Sequence, residues 1–384
     1  MQHAIFGGST AARTMNCPAW RQLADQMPPQ GSSQFADRGT LLHNAMELIL
    51  EHEEFNYFQK GFDYSFVIGT TYEGIELTQE LFDEKIVPAY ESVKEIFEIY
   101  GIDDYACEGK VSMHTDAWGT ADLLACGDEY FLCLDYKFGD GVQVQAEGNV
   151  QGLFYSSAAA ITPDFADMYS ADKKLVVAIV QPTKNGDHFS CWEPEDFSPE
   201  RFCLDFVAAM ERAKKPDPAP CAGSWCAFCP GEAVCPAKTG ELQALNRIDL
   251  KDLTMIPTYE ELDSMKSTLK AIEKLVHAQM EEGVNIPGFK LVNKRAARVY
   301  SDQPAIELKI KKAKRIKMED AYTYKLKTPA QLEKVLKEKG IDYKEFVGDN
   351  VQSVSSGTTL ASASDKRAAV VPAQALQALA AKLS

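Results

Sequence analysis

No stretch of the 384 residues approaches the ~20 consecutive apolar residues that a membrane-crossing helix needs, so no membrane role is expected. The N-terminal MQHAIFGGSTAARTM lacks the basic and apolar blocks of an export signal, and the expected location is the cytoplasm. Positive charge is scarce. Lys and Arg number 40 against 56 Asp and Glu, a formal net charge of −16, which argues against a protein that coats nucleic acid over its whole surface. No internal repeat is visible. Ten cysteines in so long a chain without an export signal do not read as the disulfide framework of a small secreted domain, and clustered ones point instead to metal.

What is present begins with enough apolar residues, 45% of the chain, for one large domain or two ordinary ones. The charge is uneven: residues 241–384 hold 24 Lys and Arg against 19 Asp and Glu, and residues 1–240 hold 16 against 37. A basic end on an acidic body marks an interaction surface, and part of the acidic excess suits a divalent cation.

Helical spacing of apolar residues predicts helices over 40–51 and 78–100, the latter despite Pro88. Short strand-like runs follow at 107–113, 119–126 and 130–136, separated by turn material such as Gly127-Asp128, then a helix over 149–161 and a buried strand over 174–181. This order predicts an α/β core with a small central mixed sheet flanked by helices. Beyond the cysteine cluster, 259–282 reads as an amphipathic helix stopped by Gly283. Residues 353–364 are small and polar and read as a flexible linker, followed by a short helix from about Pro372.

The informative stretch is Gly119-Thr120-Ala121-Asp122, then twelve residues, then Asp135-Tyr136-Lys137. Carboxylates ending successive strands of a hairpin lie side by side at one sheet edge, near enough to share a divalent cation. Strand periodicity puts Lys137 on the face of Asp135. That set suits phosphodiester hydrolysis: a metal polarises the phosphate and activates water, an ammonium stabilises developing charge, and the Tyr136 carbonyl is a further hard ligand. By itself the spacing reads equally as surface strand charges.

The surrounding residues resemble the PD-(D/E)XK nucleases, in particular the RecB-like branch. That pattern joins a helix bearing His (Gly39 to His43 here), a G-x-x-D strand (Gly119 to Asp122), a D/E-x-K strand (Asp135 to Lys137) and a Q-x-x-x-Y helix (Gln151 to Tyr155). The resemblance implies a restriction-endonuclease-like core over 1–240 and Mg²⁺ or Mn²⁺ held by His43, Glu108, Asp122, Asp135 and the Tyr136 carbonyl. Lys137 assists the chemistry, and Gln151 and Tyr155 contact DNA phosphate or orient Lys137. From the residues alone, His43 also reads as a core histidine, Glu108 as an exposed strand glutamate, and Gln151 and Tyr155 as a surface cap.

Cys226, Cys229 and Cys235 form C-x2-C-x5-C, a spacing that wraps a metal or cluster. The fourth ligand is Cys17, in Asn16-Cys17-Pro18, or the local Cys221. Similarity to AddB and to CRISPR-associated iron–sulfur exonucleases, with one Cys-Pro before the core and three cysteines after it, favours Cys17 and a structural [4Fe–4S] staple. A Zn²⁺ site on Cys221, Cys226, Cys229 and Cys235 is the alternative. Cys107, Cys126, Cys133, Cys191 and Cys203 read as core residues.

In the C-terminal region, 241–352, an α+β extension for DNA or partner binding is expected. Its Lys309 to Lys317 segment holds six basic residues in nine, a phosphate-contacting patch or a solvated face. Over nearly its whole length the chain resembles a phage and prophage family known as a domain of unknown function. The resemblance implies a DNA exonuclease on single strands or duplex ends, with a phage recombination or single-strand-binding protein as partner and the host cytosol as location. The rival readings are a catalytically silent DNA-binding replication accessory protein and a restriction-type endonuclease.

Overall fold

The computed structural model describes residues 4–28, 33–52, 62–139, 143–183, 188–244, 257–322, 326–355, 357–362 and 367–370. The chain forms two compact units, Met1–Thr268 and Leu269–Ser384.

In the first unit, α1 (Ala11–Asn16) and α2 (Trp20–Ala24) precede α3 (Gln34–Leu50). Ser33 caps α3 by accepting the Ala36 N–H, and Leu41, Leu42, Ala45, Met46 and Ile49 form its buried stripe. A small hairpin, β1 (Thr71–Tyr72) and β2 (Ile75–Glu76), leads to α4 (Gln79–Leu81), which passes through a π-helical turn at Phe82–Ile86 into α5 (Val87–Tyr100). Pro88 is the second residue of α5, directly after the π-helical turn where the regular ladder is already interrupted, and Gly101 ends the helix at φ 59°.

The central sheet takes β3 (Ile102–His114), β4 (Ala117–Gly127), β5 (Tyr130–Tyr136), β6 (Lys174–Val180) and β7 (Phe189–Trp192) in that order. Only the β5–β6 pair is parallel, and α6 (Val150–Ile161) lies on the connection between them. The expected mixed sheet is therefore present, with longer outer strands than the sequence indicates and with β7 added. On one face α3 and α5 pack against Leu123, Leu132, Leu134 and Val176; on the other α1, α2, α6 and α7 (Pro199–Ala213) cover Leu124, Phe131 and Cys133. Phe97, Phe131, Phe154 and Phe206 are fully buried, and truncating any one would cost about 3–5 kcal/mol. Gly152 lets α6 approach the sheet, since a Cβ there would sit 2.4 Å from Val177. The unit continues through α8 (Pro236–Ala244), and the division falls within α9 (Tyr259–Glu281).

In the second unit, β8 (Phe289–Asn293), β9 (Ala297–Tyr300), α10 (Gln303–Lys312), α11 (Met318–Ala321), α12 (Pro329–Glu338), α13 (Tyr343–Val347), β10 (Val351–Val354) and β11 (Thr358–Ser362) follow one another. Two antiparallel pairs, β9–β10 and β8–β11, accompany a helical core of Ile306, Ile310, Ile316, Leu332 and Leu336. The linker expected over 353–364 is corrected here: Val354 ends β10, and Thr358–Ser362 pair with Asn293–Phe289, because a distant strand supplies backbone partners to a segment too polar to look like a strand. The helix expected from Pro372 lies outside the described residues. Among the described residues no helix is long and apolar enough to cross a membrane.

Candidate functional site

The ladder between β4 and β5 stops at Leu123–Leu134, and the next pair in register is Asp122 and Asp135. There the Tyr136 N–H donates to Asp122 Oδ2 at 2.7 Å, so a side chain takes over where the ladder ends. From α3, His43 places Nδ1 3.4 Å from the same oxygen, its ring edge-on to Tyr136 and Phe138.

Glu108 on β3 lies between the pairs Cys107–Leu123 and Gly109–Ala121, opposite Asp122. Its φ of 47° is left-handed, a conformation that strains a non-glycine residue by about 1–3 kcal/mol. Both strands change sides here. In β4, Ala117 and Ala121 belong to the core under α6, whereas Leu123 and Ala125 belong to the core under α3. A regular strand keeps i and i+2 on one face, so the ribbon rotates at Glu108 and Asp122 and points both carboxylates at α3. His43, Glu108 and Asp122 offer ligand atoms that all lie within 4.8 Å of one another.

Asp135 is held in a second group. Its side chain is 4% exposed, with Lys137 Nζ 2.5 Å from Oδ2. Gln151 on α6 donates from Nε2 to Asp135 Oδ1 at 2.7 Å and accepts at Oε1 from Lys137 Nζ at 3.1 Å, closing a triangle. Asp135 Oδ2 is buried against the Lys137 ammonium.

Burial pushes the Glu108 carboxyl up to about 7, reinforced by Asp122 and Glu47 and opposed by His43. Burial also raises Asp135, with Lys137 pulling against it and Asp122 adding to it. Burial acts to lower His43, but Asp122 and Asp135 outweigh it and hold the imidazole above its ordinary value. The carboxylates thus crowd one another in a partly buried place, a repulsion that a bound cation would relieve. The hard donors of the trio fit a divalent cation.

Of the expected residues, then, His43, Glu108 and Asp122 come together, and Asp135, Lys137 and Gln151 form an adjoining group. Tyr136 contributes its N–H to Asp122 and its ring beside His43. Tyr155 is buried, its ring against two glycines: a Cβ on Gly8 would be 2.5 Å from it and one on Gly119 2.9 Å. Gly119 of the G-x-x-D strand thus makes room for the tyrosine of the Q-x-x-x-Y helix. Beside the trio a cleft of about 640 Å³ opens between the first half of α3 and the β3–β4 ribbon.

Cys17, Cys221, Cys226, Cys229 and Cys235 line one small cavity walled by Trp20 and Trp225. Burial raises the Cys226 and Cys229 thiols; Cys17 and Cys235 bear on Cys226, and Cys226 and Cys17 on Cys229. Cys221 is exposed, and its backbone N–H donates to Cys17 Sγ at 3.4 Å, as Gly223 N–H does to Cys226 Sγ at 3.4 Å. Arg13 and Lys238 supply positive charge at the cavity. Neither was singled out from sequence, although Arg13 stands four residues before Cys17 and Lys238 three after Cys235, spacings that share a helical face. The five remaining cysteines lie in β3, β4, β5, β7 and α7, as expected of packing residues.

Fold and site together define a mixed α/β protein with an acidic His–Glu–Asp centre, a carboxylate–lysine–glutamine triangle beside it and a separate cavity of cysteines. A family model described as a protein of unknown function, DUF2800, matches residues 3–368, and the chain belongs to that family.

Proposed function

We propose that the protein is a metal-dependent DNA nuclease of the PD-(D/E)XK, RecB-like type, acting as an exonuclease on single strands or duplex ends. The observation that carries this reading is Asp122 opposite Asp135 at the parted end of β4–β5, with Lys137 on Asp135 and His43 and Glu108 around Asp122. Mg²⁺ or Mn²⁺ held by His43, Glu108 and Asp122, with Asp135 adjoining, would supply Lewis-acid polarisation of the phosphate and activation of water. Lys137, fixed by Asp135 and Gln151, meets the negative charge that builds on the phosphoryl oxygens. A water oxygen bonds to phosphorus as the bond to the 3′ oxygen breaks, leaving a 5′-phosphate and a 3′-hydroxyl.

Cys17, Cys226, Cys229 and Cys235 would hold a [4Fe–4S] cluster that ties the N-terminal segment to the loop after α7. The gathering of Cys17 with Cys226, Cys229 and Cys235 around one cavity supports the staple, with Zn²⁺ on the local cysteines as the alternative. Backbone N–H groups directed at sulfur, and the Arg13 guanidinium nearby, suit an anionic cluster. In the second unit Ile310 and Ile316 are buried while Lys311, Lys312, Lys314 and Arg315 are exposed, which supports a phosphate-contacting face. DNA is then the partner, in phage replication or recombination.

The test is nucleotide release from end-labelled single-stranded and duplex DNA with Mg²⁺ or Mn²⁺ by anaerobically purified protein, wild type against Asp135→Ala. Release by wild type and its loss in the variant is the expected result. Inertness of folded, metal-loaded wild type would favour the accessory-protein reading, and nicking of a supercoiled circle would favour the endonuclease.

A further inference from the structure

The cleft beside the His43–Glu108–Asp122 trio holds features that the trio does not use. Lys110 and Trp118, on β3 and β4, line it, with Lys110 Nζ 4.9 Å from the centre of the Trp118 ring. Lys110 is exposed and Trp118 half-buried. The opposite wall includes Gly39, in the interior of α3. Glycine is the least favourable ordinary residue within a helix, and it is normally explained by a neighbour that leaves no space for a side chain. Gly39 has no such neighbour, because a Cβ there would meet nothing within 4 Å. The space beside Gly39 is therefore open toward the cleft.

An aromatic ring, an adjacent ammonium and a bare glycine wall, leading to a site for a divalent cation, match the chemistry of a nucleotide strand: a ring for a base, a cation for a phosphate. A volume of about 640 Å³ is that of a small-ligand pocket, room for one or two nucleotides. We propose that this cleft seats a single DNA strand, with a base on Trp118, the neighbouring phosphate on Lys110 and the backbone running past Gly39 toward Asp122. This rests on the nuclease reading and adds to it the strand-binding residues and the preference for an unpaired strand.

Glu108 and Asp122 repel phosphate until a divalent cation covers them, so the test measures binding with Ca²⁺ in place of Mg²⁺. A fluorescein-labelled single strand is titrated with the full chain, and anisotropy is read over a salt series. Trp118→Ala should weaken binding about fivefold to a hundredfold, with Trp118→Phe restoring most of it. Lys110→Ala should lower the slope of log K against log salt by about 0.7, the value for one single-strand phosphate contact, which a purely structural role would not change. Gly39→Leu should weaken binding at least tenfold while the protein melts no lower.

Binding insensitive to all three substitutions overturns the cleft even if Asp122-dependent cleavage is found. Binding that needs Lys110 and Trp118 without cleavage under any metal leaves the cleft standing and removes the nuclease reading. Tighter binding of the matching duplex, or of the matching RNA, overturns the assignment to single-stranded DNA.

Discussion

Glu108 and Asp122 face each other across β3 and β4 at the point where both strands change the core they serve. Opposed carboxylates repel, and burial foremost, with Asp122 and Glu47 adding to it, pushes Glu108 up to about 7. The fold thus favours protonated Glu108 relative to the unfolded chain, whose value is the ordinary 4.5. The stability this contributes is fully present below pH 4.5 and is lost as pH rises through about 7. Metal-free protein should therefore lose, between about pH 4.5 and 7, a stability increment that Glu108→Gln does not lose. At the proposed metal site Mn²⁺ would displace the proton, so its stabilising effect should be larger at the alkaline end. Thermal melts of both proteins across that range check this, and a wild-type-minus-variant difference that stays flat with pH would sink it.

Gln151 ties Asp135 to Lys137 through both ends of one amide. Gln151→Ala leaves Asp135 Oδ1 without its donor in a buried position, which should destabilise by about 1–3 kcal/mol. It also frees the Lys137 ammonium, and supporting residues of this kind are worth roughly 10–100-fold in activity. The expected pattern is a fall in kcat with KM nearly unchanged, measured on a short single-stranded substrate beside a urea titration. A rise in KM alone would mean that Gln151 contacts substrate rather than positioning Lys137.

That Asp122 and Asp135 stand side by side with Lys137 on the face of Asp135 was legible because strand periodicity is local, while choosing them as a candidate site took the resemblance of the surrounding motifs. The α6 helix was legible for the same reason, with Asn149 as its cap. What escaped is tertiary. The rotation of the ribbon at Glu108 depends on two cores that exist only once α3 and α6 have packed, and no alternation within β3 announces it. Strand β11 has too small and polar a composition to declare itself until β8 pairs with it. The roles of Gly8 and Gly39 lie in one case in a ring far along the chain and in the other in empty space, neither of which spacing encodes.

The Tyr155 ring occupies the volume that side chains at Gly8 and Gly119 would need. Gly8→Ala and Gly119→Ala should each destabilise by about 1–3 kcal/mol through overpacking. Removing the ring should remove most of that penalty, so each pair with Tyr155→Ala should be more stable than the two single effects added together. Urea midpoints of the four proteins in each cycle decide it; additivity would show that the ring is not what the glycines accommodate.

Cys17 and Cys221 differ in the environment of their sulfurs, although the backbone of one donates to the sulfur of the other. Cys17 is buried and bears on both Cys226 and Cys229, whereas Cys221 is exposed. Cys17→Ser should then abolish the visible absorption of anaerobically purified protein, and Cys221→Ser should leave it intact. A cluster joining Cys17 to Cys226 closes a long stretch of chain, and cross-links over about a hundred residues or more stabilise by on the order of 4–5 kcal/mol. Cys17→Ser should accordingly unfold at markedly lower urea, and the wild type treated with chelator and oxidant should approach the same midpoint. Retained colour in Cys17→Ser with loss in Cys221→Ser would move the fourth ligand to the local cysteine. A colourless wild type carrying one zinc would replace the cluster altogether while leaving the predicted order of stabilities to report which cysteine closes the loop.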